Sequence, residues 1–271
     1  MSRKTFRGVA LATALCVAAA VPATAIAKPV ISMSGSTSVY PLAVQLATAY
    51  VKSCKHCATF KILQGGSDVG ISDVAHARVT IGDSSRDPIP GQDPHGLIFN
   101  KIARDAVCLI TNRGNRVANL SQSQIQAIFS GRVRNWSQVP GAPVHGAIDL
   151  YTRTATSGTA DAFSRIFMLP FSVSQLASQK ASNGLVQQGV QSDSRGIGYV
   201  SLHFTAGTNP VAYNGTACTL RNSKSGAYGG VRNFYMVTRG KPTGATKKWI
   251  HWVQTSATAA RIVASGWVPL R

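Results

Sequence analysis

The sequence predicts an α/β fold of two lobes, on three observations. Short apolar strands alternate with segments of helical spacing along the whole chain. The stretch from Lys28 to Arg271 is long enough to bury two separate cores. Several of the predicted strands run directly into turns rich in Gly, Ser and Thr, which is where open α/β sheets place their ligands.

Residues 1–27 stand apart from that fold. Arg3, Lys4 and Arg7 precede an apolar run from Gly8 to Ala20, and Ala25-Ile26-Ala27 is a small-residue cleavage signal. This is the pattern of a secretory signal peptide removed after Ala27. Cys16 follows Leu15 rather than a small residue, so a soluble exported protein is expected rather than a lipid-anchored one.

Pro29 to Met33 reads as the first strand. Gly35-Ser36-Thr37-Ser38 then opens a helix to about Val51, with Val39, Leu42, Ala43, Leu46, Ala47 and Tyr50 on one face. Thr59 to Leu63 is an alternating strand that enters a Gly-rich loop, Gln64 to Gly70, whose backbone can approach an anion closely. Arg78 to Gly82 is a strand delivering Asp83-Ser84-Ser85-Arg86 at its carboxyl end, and Ala106 to Asn112 is a buried strand. Ser121 caps a helix carrying Ile125, Ile128 and Phe129, which Ser130-Gly131 ends. Asp149 to Tyr151 is a strand feeding Arg153 and a Ser-Gly-Thr turn, after which Ala160, Phe163, Ile166 and Phe167 recur at apolar spacing. Gly196 to Val200 is one more buried strand. A Gly, Asn and Ser rich passage from Thr205 to Gly230 leads to a strand at Phe234 to Val237 and a closing helix over about Ala245 to Thr255.

The chain carries 28 basic and nine acidic residues, every acidic one an Asp, for a net charge of +19. Without Arg3, Lys4 and Arg7 the 25 remaining basic residues against nine acidic give +16. Charge of this size attracts anionic partners in general, but the basic residues are scattered, without the runs or aromatic interleaving of a nucleic-acid groove. Dependence on few carboxylates suits an acidic setting, with genomic composition bias the plain alternative. Cys54 and Cys57 suit a tight local disulfide in an exported protein, against a redox pair or half a zinc site, for which a second ligand pair is missing. Cys108 reads as a buried core thiol, and Cys218 has no distinctive context.

Three stretches form the candidate site: Gly35 to Ser38, Ser84-Ser85-Arg86, and Arg153 to Thr159. Two hydroxyl-rich helix starts and an arginine fork can converge on one tetrahedral oxyanion. Together with Gly35 to Leu42, the segments Ile128-Phe129-Ser130-Gly131 with Asn135-Trp136, Arg153 to Thr159, Gly196 to Val200 and Gly266-Trp267-Val268-Pro269-Leu270 give the chain a resemblance over nearly all of its mature length. It resembles the PstS-type phosphate-binding proteins, the substrate-binding components of bacterial ABC phosphate importers.

The resemblance implies a type II periplasmic-binding-protein fold with the ligand cleft between two α/β lobes. Lobe one would be residues 28–102 plus 212–271 and lobe two residues 103–211. It implies a periplasmic, monomeric, non-enzymatic receptor for inorganic phosphate that serves a membrane-embedded ABC permease, with no cofactor, metal or nucleic acid. Carried over residue by residue, Ser36, Thr37, Ser38, Ser67 and Ser85 would bind phosphate from one lobe, and Arg153, Ser157, Gly158 and Thr159 from the other.

Two positions depart from the family pattern. Ser85 stands where many members hold an aspartate that accepts the proton of hydrogen phosphate. Asp83, two residues earlier, is the candidate substitute acceptor, with a turn-capping role the equal alternative. Ala155 stands where an acidic residue often holds the arginine in position. The remaining readings are a receptor for sulfate, arsenate or another oxyanion, a basic surface-interaction protein, and a phosphate-ester hydrolase. The last lacks a nucleophile elbow, a metal motif or a His near the three stretches.

Overall fold

The computed structural model describes residues 1, 27–54 and 57–270. The signal-peptide assignment rests on residues outside these. Near the start, β1 (Val30–Gly35), α1 (Tyr40–Ser53), β2 (Thr59–Ile62), α2 (Ser67–Ala75) and β3 (Ile81–Ser84) form one parallel unit in which β1 lies between β2 and β3. A long strand, β4 (Leu97–Thr111), leads away from it. Beyond it come β5 (Asn119–Leu120), α3 (Gln122–Phe129), β6 (Asp149–Arg153), α4 (Gly158–Phe163), β7 (Ser178–Lys180), α5 (Asn183–Ser192), β8 (Gly196–Ser201) and β9 (Asn209–Tyr213). After α6 (Leu220–Ser225), β10 (Val231–Arg239) returns, and α7 (Gly244–Thr255) and α8 (Ala257–Gly266) finish the chain.

The strands lie in the order β2-β1-β3-β10-β4-β8-β6-β7, with β9 beside β4 and β5. Strand β4 joins the two halves. Its first part pairs antiparallel with β10, and Val107 to Thr111 pair with β8. Apolar cores form on each side of this junction. One gathers Ile31, Met33, Leu42, Leu46, Tyr50, Trp249 and Trp267, and the other Leu109, Ile125, Phe129, Trp136, Phe163, Phe167 and Tyr199. The boundaries read from the sequence were Ile102 and Ala212. Here β4 runs unbroken through the first, and β9 through the second while still paired with β4 and β5. The return to the first core is made by β10.

Local chemistry accounts for the elements that frame the site. Ser36 Oγ accepts from the backbone N–H of Ser38 and Val39, filling the cap position ahead of α1, and Pro41 occupies the first turn, where a missing N–H costs nothing. Ser121 and Gln124 form a reciprocal capping box on α3, as the spacing predicts. The third strand starts at Ile81, later than expected, because Arg78 turns back to pair with Asp73. The Gly-rich loop ends at Gly66, and Ser67 already belongs to α2.

The cysteines pair as Cys54 with Cys57 and Cys108 with Cys218. The second pair corrects the reading of Cys108 as a free thiol. The link spans 110 residues, a distance over which sequence spacing says nothing about partners. Among the described residues no helix is long and apolar enough to cross a membrane.

Candidate functional site

All three stretches meet in one buried polar cluster beside the β4–β10 junction, called the pit below. The first core supplies the turn between β1 and α1, the start of α2 and the end of β3. The second supplies the end of β6 and the starts of α4 and α5. Ser36, Thr37, Ser38, Ser67, Ser85, Arg153, Ser157 and Thr159 are each at most 3% exposed. Contacts across the divide close the wall. Ser38 Oγ lies 3.1 Å from Thr159 Oγ1, and the Asp68 N–H donates to Thr156 O at 3.1 Å.

Two glycines let the halves approach this closely. A Cβ on Gly158 would collide with Ser67 Oγ and lie 2.9 Å from Arg86 N, and one on Gly66, whose φ is +102°, would lie 2.7 Å from Thr156 O. At α4 the helix start is fixed by Ser157, whose Oγ accepts from the N–H of Thr159 and Ala160.

The hydroxyls are knitted together. Ser36 Oγ donates to Ser85 Oγ at 2.8 Å, Ser67 Oγ lies 3.3 Å from Ser85 Oγ, and the Ser85 N–H donates to Ser67 Oγ at 3.0 Å. Asn183, the first residue of α5, donates its Nδ2 to Thr37 Oγ1 at 2.9 Å and to Ser38 Oγ at 2.8 Å. Arg153 reaches in from β6. Its Nε and Nη2 are anchored on the Lys180 and Ala181 carbonyls at 3.1 and 2.9 Å, and Nη1 lies 3.5 Å from Thr159 Oγ1. Behind it the Tyr199 ring stacks on Phe163, and the Tyr199 hydroxyl accepts the Arg153 N–H.

Charge distinguishes this pit from an ordinary polar core. Among the described residues no carboxylate contacts Arg153. Burial pushes its pKa down to about 10, Tyr199 opposes the shift and the nearby Arg232 cation adds to it, so the guanidinium still carries its charge at neutral pH. Arg232, on β10, donates to Asp105, its register partner on β4, and to Ser38 and Ser85. Arg86, in the middle stretch, behaves differently. Burial opposes its charge, but hydrogen bonds to Asp93 and Asp68 outweigh that and hold it firmly protonated, and its side chain is spent on them.

Asp83 is fully buried. It lies opposite Met236 of the first core, its Oδ1 has no hydrogen-bond partner, and burial raises its pKa well above the carboxylate range. Its side chain makes no hydrogen bond to the pit hydroxyls. The other eight Asp residues each have a donor within the chain.

Of the sequence-derived residues, the structure brings Ser36, Thr37, Ser38, Ser67, Ser85, Arg153, Ser157, Gly158 and Thr159 together and leaves the Asp83 side chain without a contact there. Sequence reasoning missed Asn183, Asp105, Arg232 and Tyr199. Ser182, which caps α5 through the Leu185 N–H, was the available signal for Asn183. Arg232 and Asp105 have none, since only strand pairing sets them face to face. A surface groove of about 500 Å³ beside β6, lined by Arg134, Asp149, Tyr151, Asp193 and Arg195 among others, includes none of the pit residues.

With this geometry in view, residues 20–257 match the family model described as a PBP superfamily domain. A phosphate-binding protein PstS of Bacillus subtilis (strain 168) is 23% identical over 245 residues, covering 89% of this chain and 80% of the relative. That of Borreliella burgdorferi is 26% identical over 248 residues, covering 87% and 88%. Among solved structures, a phosphate ABC transporter substrate-binding protein from Clostridium perfringens with bound phosphate superposes with a TM-score of 0.84 at 28% identity, over 89% of this chain and 100% of that one. An ABC-type phosphate transport receptor from Vibrio cholerae gives 0.71 at 24% identity, over 88% and 99%, and at that identity supports the fold alone.

Proposed function

The chain belongs to the PBP superfamily, and on that premise we propose that it is a phosphate receptor, binding inorganic phosphate in the inter-lobe pit and delivering it to an ABC-type import permease. One observation carries the reading. Arg153 is a buried cation with no carboxylate partner, set among hydroxyls and helix starts that can donate to the same point. Burying an uncompensated charge is costly, and an oxyanion that accepts from these groups removes the cost. Strong, charge-assisted donors in a dry site are also what a tetrahedral oxyanion requires in exchange for its hydration.

In this reading Arg153, the Thr159 hydroxyl and the Gly158 N–H hold the anion from the lobe containing β6. Thr37, Ser38, Ser67 and Ser85 hold it from the other, and Ser36 and Ser157 keep their turns in shape. We place the lobe division where β4 and β10 cross. Contacts such as Ser38 to Thr159 then join the lobes only when the cleft is closed, the form a permease can distinguish. Export to an oxidising compartment accords with two disulfides. A hydrolase is disfavoured because, among the described residues, none of His76, His95, His145, His203 and His251 hydrogen-bonds to a pit residue.

Calorimetric titration of the phosphate-stripped protein with phosphate and then sulfate tests the proposal. One-to-one phosphate binding that survives excess sulfate is the expected result. Equal binding of the two ions would redefine the protein as a general oxyanion receptor, and absence of binding would remove the reading altogether.

A further inference from the structure

Arg232 sits where no motif announces it, on the strand that returns between the cores, with its side chain 4% exposed. Its Nη2 donates to Ser38 Oγ at 2.8 Å and its Nη1 to Ser85 Oγ at 3.3 Å, while Nε and Nη2 hold Asp105 Oδ2 at 3.2 and 2.9 Å. One guanidinium thus touches hydroxyls from two separate walls of the pit.

The consequence lies in the hydroxyl protons. A serine hydroxyl has one donor and two acceptor lone pairs. Ser38 Oγ already accepts from Arg232 Nη2 and from Asn183 Nδ2, so both lone pairs are taken and its proton is left for Thr159 Oγ1, 3.1 Å away. Ser85 Oγ accepts from Ser36 Oγ and from Arg232 Nη1, which leaves its proton for Ser67 Oγ, 3.3 Å away. Ser36 cannot reverse its bond, because its own oxygen is occupied by the N–H groups of Ser38 and Val39.

We propose that Arg232 is a positioning residue of the anion site: by occupying lone pairs of Ser38 and Ser85 it leaves both hydroxyls only as donors, to Thr159 and Ser67 in this structure and to a ligand oxygen that takes the place of those contacts, with Asp105 fixing the guanidinium in place. This rests on the phosphate-receptor reading and adds a second cation to it. Arg153 faces the anion as a charge, whereas Arg232 acts through the two serines. The pair with Asp105 leaves the three charged side chains with one net positive charge.

The test is calorimetric titration with inorganic phosphate of the phosphate-stripped full mature chain, using Arg232→Gln, Ser38→Ala, the double variant of these, and Arg232→Gln with Asp105→Asn. Thermal melts of each variant accompany the titrations. Arg232→Gln weakens binding about 100-fold and Ser38→Ala about 10-fold, in the range for truncating buried charged contacts. Adding Ser38→Ala to Arg232→Gln then costs little more, because the serine has already lost its orientation. The variant without either charge leaves no unpaired Asp105 and is expected to fold and to show the same loss as Arg232→Gln.

Binding within threefold of wild type in the variant lacking both charges would overturn the proposal, and so would losses that simply multiply in the Arg232 and Ser38 double variant. Either result, with phosphate still bound by wild type and lost in Arg153→Ala, would leave the receptor reading standing. Failure of folded wild type to bind phosphate would remove both.

Discussion

Two arginines flank the same pit, and their surroundings are opposite. Arg86 follows two serines at the end of β3 and is clasped by Asp68 and Asp93 at 2.7 and 2.6 Å. Arg153 precedes a Ser-Gly-Thr turn at the end of β6 and is held by two carbonyls and the Thr159 hydroxyl. In sequence they look alike, each an arginine among small hydroxyl residues. The difference is in what balances them. A guanidinium already neutralised by two carboxylates has little to offer an anion, and its removal harms the fold. One buried without a counter-charge is a liability to the fold that a ligand relieves.

Replacing Arg153 by Ala is the sharpest way to break that contrast. Phosphate affinity should fall by about 2–5 kcal/mol, roughly thirty- to several-thousand-fold. The ligand-free protein should melt at an unchanged or higher temperature, since an unpaired buried charge has gone, and the rise in melting temperature on adding phosphate should vanish. Paired titrations and thermal melts check all three. Loss of stability in the ligand-free variant would show that the carbonyl anchors outweigh the cost of burying the charge.

Arg86→Ala should do the reverse. Asp93 would be left 11% exposed without its partner, a loss of about 3 kcal/mol, near the low end for broken buried pairs because Asp68 is 43% exposed and can be solvated. Phosphate affinity should stay within a few fold, because the Arg86 side chain points toward the loop around Ile89 and Asp93, not toward the hydroxyls. Urea unfolding gives the stability and the same titration gives the affinity. An affinity loss matching that of Arg153→Ala would mean the two arginines share the anion.

How far the sequence could be read follows the same line. Periodicity and cap residues placed β1, α1, α3, β6, β8 and α7, because each is written in a contiguous stretch. The hydroxyls of the pit were legible for the same reason, each lying in a turn next to a strand or helix end. The junction was not. Asp105 and Arg232 meet only because β4 and β10 pair in one register, and Cys108 finds Cys218 only because β4 passes the segment after β9. The same limit explains Arg86, whose Asp93 partner depends on the path of an irregular loop. The closing helix α8 follows α7 after a single residue, Ser256, which caps it, and the sequence reading, which ends its last helix at about Thr255, does not include it.

Asp83 is the carboxylate counterpart of Arg153, a buried ionisable group without a partner, and it should resolve the problem in the other way. Arg153 keeps its charge because an arginine loses its proton only at high pH. Asp83 can simply stay protonated, since burial lifts its pKa well above that of an exposed carboxyl. In the unfolded chain the group ionises near pH 4, so the stability it contributes is complete below about pH 4 and is lost as pH rises toward the folded pKa. The slope is about 1.4 kcal/mol per pH unit for one proton. Asp83→Asn keeps the shape of the protonated acid and cannot ionise. The variant should therefore match wild type near pH 4 and exceed it increasingly as pH rises toward the folded pKa, with phosphate affinity little changed. Urea melts of both proteins at pH 4.5, 6 and 7.5 decide the matter. A stability difference that does not vary with pH would mean that Asp83 is charged in the folded protein, as a proton acceptor for the anion would need to be, and the contrast between the two buried groups would collapse.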